Sequence, residues 1–318
     1  MTLMEKEFYV TDIKRSIGLT GESTFLIVEK EEKLTKADKP YLILTLRDKT
    51  GDIKAKVWSD SLSQVLGGNV GDVVKVSFEV GEYRDIAELT VSQMTPVSNI
   101  NESDYQLARD DVDGAQLEIN LAKWVDAVRD FHLRNLLESF LNDEDFFRLY
   151  TTYPAGERIH HAYRHGLLQH SLEVVNIADG LYQLNPDMHR DLLVTGGLLH
   201  DIGKIYEYTQ DPLGVIGWTV EGRLLGHVVL GWMKIHHRIS KEMPENLVNK
   251  LGHIVLSHQS KLEYGSPVIP KTREALAIAF SDKASMDFDI AKSLRLDSKD
   301  GDAFTEYNRY LGTDMYLG

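Results

Sequence analysis

The sequence predicts a multidomain α+β chain, a small Greek-key β-barrel followed by an all-α helical bundle. Three observations carry this prediction. Residues 1–100 hold five short runs rich in β-branched residues that mostly alternate apolar and polar. From about Leu117 the apolar spacing changes to three and four, the stripe of amphipathic helices. The length, 318 residues, suits about two domains at roughly 150 residues each.

The strands come in order as Phe25–Lys30 (FLIVEK), Tyr41–Leu46 (YLILTL), Ile53–Val57 (IKAKV), Val73–Val80 (VVKVSFEV) and Ala87–Val91 (AELTV). Between the second and third, Asp48-Lys49-Thr50-Gly51-Asp52 reads as a hairpin turn, with Gly51 free to take positive φ. A longer segment, Ser59 to Asp72, links the third to the fourth. Five strands with one long link suggest a small closed barrel. The barrel domain is set at residues 1–98 and the polar, acidic stretch 99–118 is taken as the linker, which leaves 119–318 for the helices. Residues 121–141 read as one helix, with Asn120 placed to cap it. After residue 160 the chain reads as helical, except for a turn or hairpin over Tyr206–Arg223.

Composition bounds the function. Hydrophobic residues make up 42% and charged residues 26%, an ordinary globular mix. No apolar run approaches 18 residues, and MTLMEKEFYV lacks the apolar core of a secretory signal, so a cytoplasmic chain without a membrane span is expected. With no cysteine, thiolate zinc sites and disulfides are excluded. The net charge of −14 argues against a protein that coats nucleic acid by bulk charge. Residues 1–100, with 13 Lys/Arg against 16 Asp/Glu, are nearly balanced and have room for a local basic face. No GxSxG, Walker A or GxGxxG pattern is present, and Gly196-Gly197 falls inside a helical pattern, where close packing explains it.

Eleven of the twelve histidines crowd between residues 160 and 258. His200-Asp201 ends the apolar run LLVTGGLLHDIGK. A buried imidazole and carboxylate there are costly without strong partners, and a shared divalent cation is one such partner. Taken alone, the doublet is better explained by a hydrogen-bonded pair without metal. It is joined, however, by His170 on the apolar helix GLLQHSLEVVNIADGL and by Asp282 on REALAIAFSDKA. Ligands offered by three buried helices are the scheme of a metal site inside a bundle. His227 and His258 could hold a second ion, with Asp201 bridging the two.

HHAYRHGLLQH, LLHDIGK, EGRLLGH, LSHQSKLEYGSP and the later Asp282 together resemble the HD-domain metallophosphohydrolases. With YLILTLRDKTGDIKAKVWS added, the chain resembles the YhaM-type 3′→5′ exoribonucleases, which join an OB-fold nucleic-acid-binding domain to an HD domain. The resemblance implies metal ligation by His170, His200, Asp201 and Asp282, with His227 and His258 on a second ion, and Lys204 near substrate phosphate. It departs from the family at two places: Gln259 stands where many relatives carry a second histidine, and His165 where a small residue is usual. His253 is a fallback ligand or, more simply, a supporting histidine.

The donor set suits Mn²⁺, Fe²⁺, Co²⁺ or Mg²⁺, one or two ions per chain, and the resemblance leans to manganese. His161 and His165 are candidates to protonate the leaving oxygen, and Arg164 or Arg223 to add charge near the phosphoryl group beside Asp201 and Lys204. On the barrel, Tyr41, Trp58 and Tyr83 are candidate stacking residues among Lys36, Lys39, Arg47, Lys54, Lys56 and Arg84. Phe25 and Phe78 are assigned to the core, while alternation leaves both faces open for Trp58. Together these features describe a metal-dependent 3′→5′ exonuclease of single-stranded RNA, with single-stranded DNA left open. The alternatives are a small-nucleotide phosphohydrolase and a non-catalytic RNA-binding protein. A homo-oligomer is left open by the resemblance.

Overall fold

The computed structural model describes residues 6–84, 86–298 and 301–318. It contains two compact units, Met1–Asp110 with Gln210–Ile216, and Asp111–Thr209 with Gly217–Gly318.

In the first unit a short helix α1 (Val10–Lys14) precedes β1 (Thr20–Leu34), β2 (Pro40–Asp48), β3 (Gly51–Val57), β4 (Val73–Tyr83) and β5 (Ile86–Pro96). The strands close in the order β1-β2-β3-β5-β4, with β3 and β5 parallel and β1 pairing back onto β4. This five-stranded Greek-key closure is that of an OB-fold. Alternation fills its interior with Phe25, Leu44, Leu46, Ala55, Val76, Phe78 and Leu89, and Val10 and Ile13 of α1 join the same core. Charged side chains at outward positions extend the strands past their apolar centres, as in Glu31, Glu32 and Lys33 of β1. On β3, Ile53, Ala55 and Val57 point inward, so Lys54, Lys56 and then Trp58 share the outer face.

Within the segment 99–118, Tyr105 is buried, its hydroxyl donating to Thr24 at 2.7 Å. Asp113 caps the next helix by accepting from the Gln116 amide.

The second unit contains α2 (Gly114–Ala127), α3 (Phe131–Leu141), α4 (Glu144–Thr152), α5 (Gly166–Leu184), α6 (Arg190–Leu199), α7 (Lys204–Glu207), α8 (Val220–Arg238), α9 (Glu245–Ser257) and α10 (Arg273–Asp297). Strands β6 (Tyr208–Gln210) and β7 (Ile216–Trp218) form a hairpin between α7 and α8. The single helix expected over 121–141 is two helices. Val128 is extended, and Asp130 accepts from the amides of His132 and Leu133, starting α3 afresh, while Asn120 lies inside α2. Such a cap is worth about 1 kcal/mol and competes with helix continuation.

Helices α5, α6, α9 and α10 form the apolar heart around Leu168, Leu172, Val175, Leu198, Ile254 and Ile278. Glycines permit the close crossings. A Cβ on Gly196 meets Ile254 at 2.8 Å, and one on Gly203 meets the His227 carbonyl oxygen at 1.8 Å. Gly226, at φ +71°, kinks α8 just before His227. Among the described residues no helix is long and apolar enough to cross a membrane.

Gly203→Ala therefore forces α8 away from the end of α6. The denaturant midpoint should fall by the equivalent of about 1–3 kcal/mol, the usual cost of overpacking. A midpoint equal to wild type would show that this approach is not sterically closed.

Candidate metal centre

Five elements bring the predicted ligands together. His170 is on α5, His200 and Asp201 follow α6, His227 follows the kink of α8, His258 caps α9 and Asp282 is on α10. His170, His200 and Asp282 form one group of facing donor atoms, and Asp201, His227 and His258 another. His170 Nε2 lies 3.2 Å from His200 Nε2 and 3.1 Å from Asp282 Oδ1. Asp201 Oδ2 is 3.6 Å from each of those nitrogens. On its other side, Asp201 Oδ1 is 3.4 Å from His258 Nε2 and 3.5 Å from His227 Nε2. The carboxylate thus turns one oxygen to each group.

Outer partners fix every tautomer. The ring Nδ1 of His200 donates to the Gly197 carbonyl at 2.8 Å, and that of His258 to the Val255 carbonyl at 2.7 Å. His227 Nδ1 donates to Glu207 at 3.1 Å. His170 Nδ1 donates to Ser285 Oγ at 3.0 Å, because the serine spends its own proton on Glu173 at 2.7 Å. All four Nε2 lone pairs therefore converge on two carboxylates, and Asp201 Oδ1 is a buried oxygen with no hydrogen-bond partner. Lone pairs about 3 Å apart repel one another. Contacts of this length are also about the edges of a coordination polyhedron with bonds near 2.0–2.2 Å. The residues fit a divalent cation in each group.

The electrostatics agree with this fit. Burial opposes charge on Asp201, yet Lys204 and the surrounding histidines hold its carboxyl well below the ordinary range. Asp282 is likewise lowered, burial being outweighed by His170, His200 and His258. Burial pushes His200 down to about 4. For His258 burial acts the same way, but neighbouring Asp201 more than offsets it and raises the proton affinity. A cation there takes the place of that proton.

Several expected roles are relocated. Lys204 is buried, and its ammonium is 2.6 Å from Asp201 Oδ2, so its charge first serves that carboxylate. His165 sits outside the donor groups. It opens α5 in a left-handed conformation, with Nδ1 donating to the Thr151 carbonyl at 2.6 Å and Nε2 accepting from Arg164 at 3.2 Å. Both ring nitrogens are engaged, which leaves none to serve a leaving oxygen, and Arg164 is directed to that ring. His161 is wholly buried, with Nε2 bonded to Glu173 at 3.1 Å and its backbone N–H to Asp289 at 2.5 Å. It is a supporting residue rather than one that meets a leaving group. His253 accepts the Lys271 amide at 2.7 Å and stands outside the donor groups. Arg223 is exposed in the first turn of α8. Gln259 directs its amide Nε2 at His258 Nε2 (3.1 Å) and His227 Nε2 (3.4 Å), where it donates to the second group.

Sequence reasoning missed Glu173, Ser285 and Glu207, which set the ring orientations. For Ser285, three residues after Asp282, and Glu173, three after His170, the signal is helical spacing, whereas Glu207 lies 20 residues from His227 and has none.

On the barrel's outer face, Tyr41 and Trp58 stack at 5.1 Å with their planes 25° apart. Lys56 Nζ lies 4.7 Å over the exposed Tyr83 ring, and the Arg84 guanidinium 5.3 Å from it. Both lysines carry carboxylate partners, Lys54 with Glu29 at 2.9 Å and Lys56 with Glu88 at 2.7 Å. The face question left open for Trp58 is resolved outward, since its side is 41% exposed.

A buried centre of four histidines and two aspartates on five elements, in a chain that also carries an OB barrel, defines an HD-domain phosphohydrolase with a nucleic-acid-binding type of module. The HD-domain family model matches residues 167–287. Proteins named 3′-5′ exoribonuclease YhaM match along most of their length. The one from Oceanobacillus iheyensis is 31% identical over 269 residues, covering 82% of each chain. That from Listeria welshimeri is 30% identical over 281 residues, covering 86% of this chain and 85% of the relative. That from Bacillus subtilis is 29% identical over 272 residues, covering 84% of each. The chain belongs to the YhaM family. Among solved structures, the second OB-fold domain of replication protein A from Methanococcus maripaludis aligns with 29% of this chain and 94% of its own at 21% identity and a TM-score of 0.23. The barrel assignment rests on strand order.

The buried histidines make a pH prediction. His160, His161 and His200 are all lowered by burial below the ordinary 6.5, so the unfolded chain takes protons that the folded one refuses. His258 acts oppositely but is alone among the described histidines. Stability of metal-free protein should be full above pH 6.5 and fall toward pH 4. Denaturant midpoints followed by circular dichroism check this, and a flat profile across that window would contradict neutral burial.

Proposed function

We infer that this chain is a metal-dependent 3′→5′ exoribonuclease, in which the OB barrel holds single-stranded RNA and the HD bundle hydrolyses phosphodiester bonds from the 3′ end. The observation that carries the reading is the buried Asp201 carboxylate, one oxygen turned to each of two groups of converging Nε2 lone pairs. Membership of the YhaM family supports RNA as the substrate.

His170, His200, Asp201 and Asp282 would hold one divalent cation and Asp201, His227 and His258 the other; Mn²⁺ is the ion we propose, because carboxylates mixed with imidazole and no thiolate suit it. When bound, such a pair supplies a water of lowered pKa and positive charge for the phosphoryl oxygens. The chain's own residues prepare for this. Lys204 keeps Asp201 ionised in a buried place. Glu207 and the Glu173–Ser285 pair keep the His227 and His170 lone pairs facing inward. On the barrel, Tyr41, Trp58 and Tyr83 offer faces for bases, while Lys54, Lys56 and Arg84 stand beside them for the backbone.

A 5′-labelled single-stranded RNA incubated with Mn²⁺ should shorten from its 3′ end, with Asp201→Asn inactive yet folded. RNA left intact beside rapid turnover of mononucleotide phosphates would favour the small-nucleotide reading. RNA bound but never cleaved would favour the non-catalytic one. Tyr41→Ala with Trp58→Ala should weaken RNA binding, read by fluorescence anisotropy, by about 1–3 kcal/mol per lost base stack. Hydrolysis of a short model phosphodiester should be unchanged. Unaltered RNA affinity would remove this face from the account.

A further inference from the structure

A third group of imidazoles shares His170 with the centre described above and adds two rings, His160 and His161, that take no part in the reaction. His160, His161 and His170 each offer a ring nitrogen, all within 4.8 Å of one another. His160 and His161 precede α5, and the Nδ1 atoms of the two rings are 3.3 Å apart. That separation is about the edge of a tetrahedron with metal–nitrogen bonds near 2.0 Å. The outer partners again aim the lone pairs. Glu173 takes the His161 Nε2 proton at 3.1 Å, which leaves His161 Nδ1 bare toward His160. The same carboxylate, through Ser285, takes the Nδ1 proton of His170 and leaves its Nε2 bare. One glutamate thus sets two rings of the group. The His160 ring lies against both of the others, its centroid 5.6 Å from that of His161 and 5.1 Å from that of His170.

We propose that His160, His161 and His170 form a three-histidine site for a zinc-class cation, and that filling it withdraws His170 from the His200–Asp201–Asp282 group. An imidazole nitrogen has one lone pair, so His170 Nε2 serves one ion at a time. The two sites are therefore mutually exclusive. Their donors also select different ions: three imidazoles and an open position suit Zn²⁺, whereas the carboxylate-rich group suits Mn²⁺. Occupation needs no proton loss, because the neutral His160 ring moves its hydrogen from Nδ1 to Nε2. The consequence is zinc inhibition by displacement, inside a centre that Mn²⁺ activates. This rests on the reading of the His200–Asp201–Asp282 group as the place of an activating ion.

The test titrates Zn²⁺ into RNA hydrolysis at fixed Mn²⁺, for wild type and His160→Gln, and measures zinc binding to both by equilibrium dialysis. Zinc should inhibit wild type. His160→Gln should keep its Mn²⁺ activity and need at least tenfold more zinc for half-inhibition, with zinc affinity weakened to match. Zinc X-ray absorption on wild type should show imidazole ligands without carboxylate. Equal zinc sensitivity in both proteins, or zinc ligated by carboxylate, overturns the proposal. Loss of Mn²⁺ activity in a folded His160→Gln also overturns it, since His160 then serves the reaction itself. If that variant fails to fold by circular dichroism, His160→Asn takes its place. Should wild type cleave no RNA with Mn²⁺, the exonuclease reading fails, while the dialysis still decides whether His160 binds zinc.

Discussion

The Asp201 carboxylate is the constraint around which the bundle is organised. It is 1% exposed, and moving such a charge out of water costs several kcal/mol unless partners replace the lost hydration. Lys204 supplies one partner on Oδ2, at 2.6 Å, but Oδ1 receives no hydrogen bond at all. A carboxylate left in that state is stable only if something positive faces Oδ1. Neutral imidazoles that present Nε2 lone pairs cannot be that partner, and among the four only His258, whose proton affinity Asp201 raises, offers a proton in its place. Cation binding removes both the orphaned oxygen and the repulsion among the nitrogens, so the fold without metal stores the affinity for it.

A single local device makes much of this arrangement. His200 and His258 stand at equivalent places, each the C-cap of its helix, and each turns Nδ1 back to the carbonyl three residues earlier. A helix end leaves carbonyls without intrahelical partners. The ring satisfies one of them and, by doing so, commits its remaining nitrogen to the centre. His170 and His227 lie within helices where the carbonyls are already used, so they need side-chain acceptors, Ser285 backed by Glu173 and Glu207. The glycines serve the same end. Any Cβ at Gly203 or Gly222 collides with the carbonyl of His227 or Glu207, so only glycine lets α7 and α8 lie close enough for Glu207 to reach the ring.

What the sequence makes legible follows from this division of labour. The candidate ligands are legible because only a few residue types can bind a cation, and their order along the chain is specific. The barrel is legible through short β-branched runs that mostly alternate, and the strongly apolar ones already place Phe25 and Phe78 inward. The supporting carboxylates are not, since a glutamate on a helix reads as solvated surface until the packing shows what it faces. For the same reason His161 and His165 look catalytic in sequence, and only their partners, Glu173 with Asp289 and Thr151 with Arg164, show them to be braces. The break at Asp130 was readable in principle, because aspartate before an apolar run is a cap, but the unbroken apolar spacing on either side masks it.

The barrel's charge pattern bears on how an acidic chain engages a polyanion. Lys54, Lys56 and Lys75 on its surface each pair with a carboxylate, Glu29, Glu88 and Glu22. Phosphates approaching this face must compete with those glutamates, so the net electrostatic gain per contact is small and few counterions are released. Stacking on Tyr41, Trp58 and Tyr83 carries no such penalty and is indifferent to which base is offered. In the proposed reading, a face built this way would hold a strand by its unpaired bases and give little affinity to a duplex, whose bases are already stacked. That is the selectivity an enzyme working inward from a single-stranded 3′ end requires.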